Sequence, residues 1–575
     1  EVVRGPSSML FGAKAIGGVI NIVTKRGAPK PIQLEAGGSY FSATRGRQGF
    51  LAVSGTVGAF DYRVSAGADR HEDRSVAKSR WAPTGKLANT AYGNENYYGH
   101  LGYRFGEANN HYLALKVERH NLSSKGWAGV PVPNQAFTID LPKRDRTKVG
   151  LFYDVTNVSP LIARMHADVY YQTIDRIFKN DVAVRMTPTR TVAVQSTSDD
   201  GITNIGGAAQ IDLTLLPHHY TIAGVQALTD RLDTVKGSTT VMTGFGPFPI
   251  TTRTSSRDKA RIDTLSAYVQ DEWTLPYHFK LTAGARLYNT RSSLDETTVA
   301  ARANAPERTD TALVKSLGLT WSGLDNTVLR ASYSEGFITP TLLQRYSSTT
   351  AGGQGITYGN PALKNETSHN FELGARYRND VLLLDVAGFY SKARNYINTT
   401  RCLAVSATCL TASTLASQAI YYTNADRATT FGMEALAEYS LGASGFTPYV
   451  SGTVIRRELE QANLRTFNSD TPLMSGRLGV RYETTWNSVQ IWSDLFVRGG
   501  MGVKSTYYSS AGALTTEKTP RWATANFAVG AKFGPDERFA VNLAVNNIFN
   551  TAYRPTLGEL PGAGRNVELT ARVKF

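Results

Sequence analysis

The chain has 575 residues and a formal net charge of +15, with 62 Lys and Arg against 47 Asp and Glu. No run of about 18 or more apolar residues occurs, which excludes a transmembrane helix. The basic residues are dispersed and no nucleic-acid motif occurs, so a nucleic-acid partner is not indicated. The positive charge suits a surface that meets phosphate-bearing lipid or a pore that attracts anionic ligands, the alternative being an ordinary solvated basic surface.

The N-terminal part reads as a short irregular stretch followed by strands. The stretch EVVRGPSSMLFGAKAIGGVINIVTKRG runs from Glu1 to Gly27, and the first strand candidate is Ile32 to Phe41. Alternating apolar and polar residues follow in FLAVSGTVGAF, ending at Phe60, and in DYRVSAGADR. This period of two is typical of strands with one lipid-facing and one lumen-facing side.

Short turns and long loops then alternate along the whole chain. After a polar loop from His71 to about Ala91, long loops are predicted near 122–145, 181–200, 233–259, 295–309, 337–365, 398–418, 462–471, 503–519 and 551–565. Short turns separate them, and counting the strands between these breaks gives roughly 22, the size class of plugged transporters. Short periplasmic turns and long extracellular loops are typical of an all-β, antiparallel transmembrane barrel, and a soluble sandwich or propeller does not explain them.

Two further features agree with a barrel in an oxidising compartment. Cys402 and Cys409 lie close together in a polar stretch, which predicts a disulfide that closes a small loop, the alternative being two unpaired thiols. The last stretch, FAVNLAVNNIFNTAYRPTLGELPGAGRNVELTARVKF, ends in an alternating strand with Phe575 at its end. That strand is expected to pair with the first, because lipid cannot hydrogen-bond an open edge.

These stretches carry a resemblance to a known family. Glu1 to Gly27 resembles the last part of the plug domain of TonB-dependent outer-membrane receptors, above all in RGP followed by AIGGVINIVTK. YVQDEWTL from Tyr268, ASYSEGFITP from Ala331 and GNPALKNETSHNFELG from Gly359 resemble internal stretches of the same family. The resemblance implies a plug remnant at residues 1–30, a barrel at 31–575 and a fragment of a longer precursor that lacks most of the plug.

The resemblance also implies a function and its partners. It implies a multi-pass protein of the outer membrane of a Gram-negative bacterium, surrounded by lipid and lipopolysaccharide. The TonB–ExbB–ExbD complex of the inner membrane would drive uptake, because the outer membrane has neither ATP nor an ion gradient. A ferric siderophore is the expected ligand and heme the alternative, and iron would be cargo, so no cofactor or resident metal is expected.

In the resembled family, a plug arginine bonds to two lumen-facing barrel glutamates. The matching residues here are Arg4 in RGP, Glu372 in NFELG and Glu434 in FGMEAL. Charge-assisted hydrogen bonds can hold a plug by geometry, while lumen water relieves their loss when the plug moves. The other reading is that both glutamates are ordinary wetted lumen carboxylates.

Ligand contacts are expected on the long loops. The loop between Phe337 and Leu363 resembles the region where heme receptors carry an iron-ligating histidine, but it contains none, and its candidates are Arg345, Tyr346 and Tyr358. Tyrosine can ligate heme iron, so heme stays an alternative. Aromatic and basic residues on other predicted loops suit an anionic iron chelate, and these are Trp81, His71, Lys125, Trp127 and Arg144. The alternative is that they are aromatic residues of the membrane interface and loop charges without a common role.

The motifs in the sequence argue against an enzyme and against a passive pore. No nucleophile elbow, zinc-protease motif or phosphate loop occurs, so no catalytic residue is assigned. A passive porin-like barrel is a further alternative, although a porin has no use for RGP…GGVINIVTK before its first strand. The sequence therefore predicts a receptor and not an enzyme.

Overall fold

The computed structural model describes residues 2–4, 8–12, 18–350, 355–406, 408–412, 418–461, 464–508 and 514–575. Within these ranges, the side chains of residues 2–4, 11, 301, 349–350, 355, 418, 426, 461, 464, 507–508 and 514 are not among the described ones. Twenty-two long antiparallel strands form one closed barrel, as the alternating pattern predicts. They are β1 (Gln33–Phe41), β2 (Gly46–Val57), β3 (Phe60–His71), β4 (Tyr92–Phe105), β5 (His111–Gly126), β6 (Gln135–Thr156), β7 (Ile162–Arg185), β8 (Thr191–Leu213), β9 (His219–Thr243), β10 (Ile250–Thr274), β11 (Phe279–Thr297), β12 (Arg308–Leu324), β13 (Thr327–Ile338), β14 (Glu366–Arg378), β15 (Leu382–Arg401), β16 (Gln418–Tyr439), β17 (Phe446–Gln461), β18 (Met474–Trp486), β19 (Val489–Gly500), β20 (Trp522–Phe533), β21 (Phe539–Asn546) and β22 (Asn566–Lys574).

Closure occurs between the two ends of the chain. The last strand β22 pairs with β1 from Glu568 opposite Phe41 to Lys574 opposite Glu35. Every strand therefore has two neighbours, and no edge is left for lipid to satisfy. The predicted pairing of the last strand with the first is confirmed.

Short elements complete the described fold. A three-residue hairpin pairs Val2–Arg4 with Gly18–Ile20, and the two helices of the described residues are α1 (Ser8–Phe11) and α2 (Leu342–Tyr346). Neither has the length or the apolar run needed to cross a membrane. Single 3-10 turns and minor strands lie at strand ends and in loops: Ser42–Thr44, Glu107–Asn109, Ala300–Arg302, Thr349–Thr350, Gly355–Tyr358, Gly442–Ser444, Leu464–Phe467, Lys504–Tyr508, Leu514–Lys518 and Pro535–Glu537.

The wall has an apolar outer face and a polar inner face. On β10, Leu265 and Val269 are exposed, whereas Ser266, between them in sequence, is 3% exposed. Successive side chains of a strand point to opposite faces, so the exposed apolar residues face lipid and the buried polar residues face the lumen. Aromatic residues such as Trp273 lie at the end of this apolar column.

The middle of the barrel differs from the sequence prediction. Strands β6 to β10 have 22 to 25 residues each, about 80 Å of chain where roughly 10 residues suffice to cross a membrane. The segments predicted as long loops at 122–145, 181–200 and 233–259 are therefore largely strand, and only their tips are loops. The outer face of these extensions meets water and not lipid, so their sequences lack the apolar alternation that marks a membrane strand.

The wall splits on its extracellular side between β12 and β13. Their ladder ends at Ser316 opposite Ser334, whereas β13 continues to pair with β14 as far as Ile338. The backbone N–H of Lys315 donates instead to Oε2 of Glu335 at 3.0 Å. The split lets the following segment, residues 339–350 and 355–365 as described, leave the wall; we call it the cap loop.

Candidate functional site

The chain before β1 lies against the inner wall of the barrel; we call the described residues 2–4, 8–12 and 18–31 the N-terminal segment. Tyr98 and Lys116, which face the lumen from β4 and β5, both reach Oγ1 of Thr24, at 3.2 and 3.3 Å. Lys25 pairs with the buried Glu35 of β1 at 3.3 Å. The lumen is therefore partly occupied by the chain's own first residues.

Near the periplasmic turns, Gly27 lies directly against the wall. Its N–H donates to Oδ1 of Asp61 at 3.2 Å, and a side chain at Gly27 would collide with the backbone of β2 and with Asp61 itself. Asp61 also accepts from His100 at 2.8 Å and from Arg104 at 3.1 Å. Only glycine permits this close approach, so Gly27 fixes where the segment leaves the lumen.

At the other end of the N-terminal segment, α1 rests on Arg286 and Tyr288 of β11. Arg286 is 1% exposed and its Nη1 donates to the carbonyls of Met9, at 3.4 Å, and Leu10, at 3.2 Å. The Tyr288 hydroxyl donates to the Ser8 carbonyl at 2.6 Å. Backbone carbonyls at the end of a helix are acceptors without an intrahelical partner, so α1 presents them to the guanidinium and the phenol.

The hydroxyl of Ser8 makes a second contact with the wall. The Phe337 N–H, at the split between β12 and β13, donates to Ser8 Oγ at 3.2 Å. Phe337 is buried and lies on the Tyr288 ring, with the ring centroids 5.2 Å apart. One residue of the N-terminal segment thus contacts the strand that leads directly into the cap loop.

Arg286 carries its charge without a carboxylate partner among the described residues. Its guanidinium donates to Ser266 Oγ at 2.8 Å and to Gln226, and it lies about 5.0 Å from the ring centres of Tyr268 and Tyr288. A buried cation held by neutral acceptors and aromatic faces depends on each of them. The two carbonyls of the N-terminal segment are therefore part of what keeps this charge satisfied.

The structure describes only part of the predicted interaction of Arg4 with Glu372 and Glu434. The backbone of Arg4 pairs with Gly18, but its side chain lies outside the described residues. Glu372 and Glu434 both alternate with exposed apolar neighbours, so both face the lumen, from β14 and β16. Glu372 accepts from Arg330 Nε at 3.2 Å, and the Arg4 lock stays a prediction.

Arg286 and Tyr288 were not among the residues predicted from the sequence. The stretch ARLYNTR from Ala285 does show the signal, since Arg286 and Tyr288 alternate with the outward Leu287. That alternation identifies lumen-facing residues, but many strands show it. Which lumen-facing residues contact α1 depends on contacts between residues more than 270 positions apart in the sequence.

The cap loop begins with α2, which is folded onto the inner faces of the extended strands. Thr341 caps the helix by accepting from the Gln344 N–H at 3.2 Å, and Gln344 Oε1 accepts from the Thr341 N–H at 2.9 Å. Leu342 and Tyr346 pack in one cluster with Leu232, Ala260 and Ile262 of β9 and β10. The cap loop therefore crosses the lumen side of the extracellular extension rather than standing out in solvent.

Arg345 holds the cap loop to the wall. It has no exposed surface, and its Nη2 pairs with Oδ2 of Asp310 on β12 at 2.9 Å. The same nitrogen reaches the Leu363 carbonyl and Asn365 Oδ1, each at 3.3 Å, and Nη1 donates to Ser292 of β11. One guanidinium thus joins both ends of the cap loop to two strands, because its planar set of donors reaches several acceptors at once.

The far side of α2 meets a second set of cations. Arg302 Nη1 donates to the Tyr346 carbonyl at 2.9 Å and lies 3.8 Å from Asp258. Lys236 donates to the Ser347 hydroxyl and the Ser348 carbonyl. Lys236 lies about 55 Å along β9 from His219, well beyond the part of the strand that crosses the membrane. Burial lowers the pKa of Lys236 to about 8, despite the opposing effect of Asp200 and Asp258.

The depressed pKa of Lys236 predicts a pH-dependent docking of the cap loop. Because Lys236 binds its proton less tightly in the folded than in the unfolded chain, folded-state stability rises between about pH 8 and the ordinary lysine pKa. We expect the thermal midpoint of wild type minus that of Lys236→Met to increase from pH 7.5 to pH 9.5. If the difference in thermal midpoint between the two proteins did not change with pH in this range, the lowered pKa of Lys236 would be contradicted.

The other predicted loop residues are engaged within the protein. Tyr346 donates to Ser292 Oγ at 3.2 Å, and the Tyr358 hydroxyl lies 2.8 Å from Thr411 Oγ1. Tyr358 packs against a disulfide between Cys402 and Cys409. Arg345, Tyr346 and Tyr358 therefore organise the loops in this structure, and their predicted contact with a ligand stays a prediction.

Trp81 and Trp127 line the β3–β4 side of the mouth. Trp81 is 8% exposed, beneath the Arg80 guanidinium. Trp127 packs on a small cluster that includes Leu87, and the Arg554 guanidinium lies 5.2 Å from its ring centre. Lys125 and Arg144, predicted on a loop, lie on β5 and β6 instead, because these strands extend above the membrane.

A polar cavity of about 720 Å³ opens on the lumen side, at the extracellular ends of the first and last strands. It is lined by aromatic rings and by charges of both signs, among them Asp69, His71, Arg498, Trp522, Tyr553 and Glu568. Such a lining offers stacking surfaces and a few oriented polar groups, which is the usual chemistry of a site for a small ligand. Among the described residues, no group of three or more His, Cys, Asp or Glu could hold a metal ion.

Comparison with known proteins gives one family. A family model described as "TonB dependent receptor-like, beta-barrel" matches residues 61–548. Among curated proteins, the chain is 23% identical over 524 residues to an iron-regulated outer membrane virulence protein of Vibrio cholerae, which covers 87% of this chain and 68% of that protein.

Solved structures share the fold at low identity. The copper transporter OprC superposes with a TM-score of 0.78 at 16% identity, covering 100% of this chain and 85% of the other. The FrpB iron transporter from Neisseria meningitidis, F5-1 variant, gives 0.74 at 16% identity, covering 100% and 88%. The ferric yersiniabactin uptake receptor FyuA from Yersinia pestis gives 0.66 at 17% identity, covering 100% and 84%.

Proposed function

This chain belongs to the TonB-dependent receptors of the outer membrane, and on that premise we propose that it takes up a ferric siderophore through energy-coupled displacement of the N-terminal segment. The proposal rests on two segments of the chain that the inner wall of the lumen holds by specific contacts. The inner wall binds the N-terminal segment at Arg286, Tyr288 and Asp61, while the cap loop packs on the inner faces of β9 and β10 at the extracellular end of the lumen. Both narrow the path that a ligand would take through the lumen.

Energy coupling follows from these contacts. Charge-assisted and buried hydrogen bonds of the N-terminal segment have to break together, and thermal motion alone would break them seldom. The outer membrane holds no nucleotide or ion gradient, so the TonB–ExbB–ExbD complex of the inner membrane would supply the work. A passive porin-like barrel would gain nothing from a segment bonded into its lumen.

Iron as cargo is supported by the relatives. The Vibrio cholerae protein is described as iron-regulated, and FrpB and FyuA are described as transporting iron and ferric yersiniabactin. The mouth cavity combines Arg498 with the stacked rings of Trp522 and Tyr553, whose centroids are 4.7 Å apart. Such a lining suits an anionic chelate with flat groups.

A siderophore fits better than heme. A tyrosine that ligates heme iron must present its oxygen to an open pocket. Tyr346 and Tyr358 are 0% and 2% exposed, and both hydroxyls have protein partners. No histidine lies in residues 339–365, so heme binding would first require the cap loop to unfold locally.

Titration of the full-length receptor tests the proposal. We expect saturable quenching of tryptophan fluorescence by one ferric siderophore of a panel, and no quenching by heme at the same concentration. Trp522→Phe in the cavity should reduce the quenching, whereas Trp486→Phe, an exposed residue at the end of β18, should leave it unchanged. Tight heme binding with a shifted Soret band would instead overturn the choice of ligand.

A further inference from the structure

Three pairs of arginines face each other directly on the outer surface of the barrel. Arg47 of β2 lies opposite Arg70 of β3 in the ladder. The same arrangement recurs twice more around the barrel, with Arg231 opposite Arg261 and Arg394 opposite Arg427. Side chains directly opposite on antiparallel strands have Cβ atoms about 4.5–5.5 Å apart, and like charges there destabilise the sheet.

Alternation places all three pairs on the lipid side of the wall. Asp69 and His71 line the lumen cavity, so Arg70 between them points outward. Leu232 and Ile262 are buried beside the outward Arg231 and Arg261. Ala393 and Ala428 are likewise buried beside Arg394 and Arg427, which are both exposed.

The arginine pairs lie at the extracellular end of the apolar outer face of the barrel. Arg47 and Arg70 are about ten residues from the periplasmic ends of their strands, and the other arginines about twelve. For strands tilted about 40°, this is a height on the order of 26–31 Å, just above an apolar band of about 25 Å. Tyr40, exposed and opposite Arg47 on β1, marks the same interface.

Arg47 and Arg70 also lack a counter-charge of their own. Within the described residues, no carboxylate lies at ion-pair distance from either guanidinium, whereas the outward Arg45 pairs with Glu72 at 3.5 Å. In the other pairs, Arg261 lies 3.2 Å from Asp263 and Arg427 lies 4.0 Å from Glu460. An external anion between Arg47 and Arg70 would remove their repulsion.

We propose that the Arg47–Arg70 pair binds phosphate groups of lipopolysaccharide in the outer leaflet. Two adjacent guanidinium groups can each donate two hydrogen bonds to one phosphate, which lysine cannot do with the same geometry. Lipid A phosphates lie at the boundary between acyl chains and water, at the height of these pairs.

The test compares two lipids on the purified full-length receptor. The affinity for diphosphoryl lipid A and for dephosphorylated lipid A of the same acyl chains is measured in detergent by the shift of the thermal midpoint. Wild type is expected to bind the diphosphoryl form more tightly, and Arg47→Gln with Arg70→Gln to lose about tenfold or more in that affinity. Arg47→Lys with Arg70→Lys should fall between the two.

A matched control separates this effect from general loss of charge. Arg291→Gln removes one exposed outward arginine, on β11, that already pairs with Glu307, and should leave the lipid A affinity unchanged. The midpoint of each variant without lipid reports whether it has folded. Equal binding of the two lipids by wild type, or equal affinity of wild type and the glutamine pair, would overturn the proposal.

Discussion

Replacing Arg345 with alanine is expected to release the cap loop from the barrel wall. Arg345 is fully buried, and its removal costs Asp310 one of its two arginine partners, because Arg308 stays 2.9 Å from the same carboxylate. The lost hydrogen bonds of a buried charged group are worth about 1.5–3 kcal/mol. Amide hydrogen exchange of residues 342–348 should therefore accelerate by about 10- to 150-fold.

The measurement is hydrogen exchange of the full-length receptor followed by mass spectrometry. Arg291→Ala serves as the control. It removes an exposed ion pair with Glu307 on the outer face of β11 and should leave hydrogen exchange in the cap loop unchanged. Arg345→Lys should behave almost like alanine, because an ammonium cannot reach Ser292, Asp310 and Leu363 together. Unchanged protection of residues 342–348 in Arg345→Ala would show that packing of Leu342 and Tyr346 alone holds the loop.

The second large effect is expected at Arg286. Arg286→Met keeps most of the side-chain volume but removes the donors to Met9 and Leu10. Hydrogen bonds from a charged group are worth about 1.5–3 kcal/mol, so the population with a displaced N-terminal segment should rise about 10- to 150-fold. Tyr288→Phe removes a neutral hydrogen bond to the Ser8 carbonyl and should have a smaller effect, of about 1 kcal/mol.

Single-channel recording in planar bilayers follows this population. The full-length wild-type receptor is expected to be mostly closed, and Arg286→Met to open more often and for longer. Asn289→Ala, at the next outward-facing position beyond Leu287 on the same strand, controls for a general loosening of β11. Equal opening frequencies in Arg286→Met and wild type would mean that contacts other than those of Arg286 retain the segment.

The membrane part of the fold could be predicted from local sequence. Lipid on one side and water on the other impose a period of two, and FLAVSGTVGAF and VELTARVKF show it clearly. The resemblance, and not this alternation, singled out Glu372 and Glu434 as partners of Arg4, and that lock stays a prediction. Above the membrane the alternation of apolar and polar residues disappears, because water replaces lipid on the outer face. Residues 233–259 were therefore predicted as a loop, although most of them form β9 and β10.

What the sequence by itself determined is a closed, lipid-facing barrel of about 22 strands, since only alternation and closure satisfy the backbone in lipid. The tertiary structure decided which polar residues do the work inside it. Arg286 meets α1 and Arg345 meets Asp310 only because strands far apart in sequence curve round one lumen. Such contacts depend on register and on the path of the loops, and no local pattern of residues encodes either.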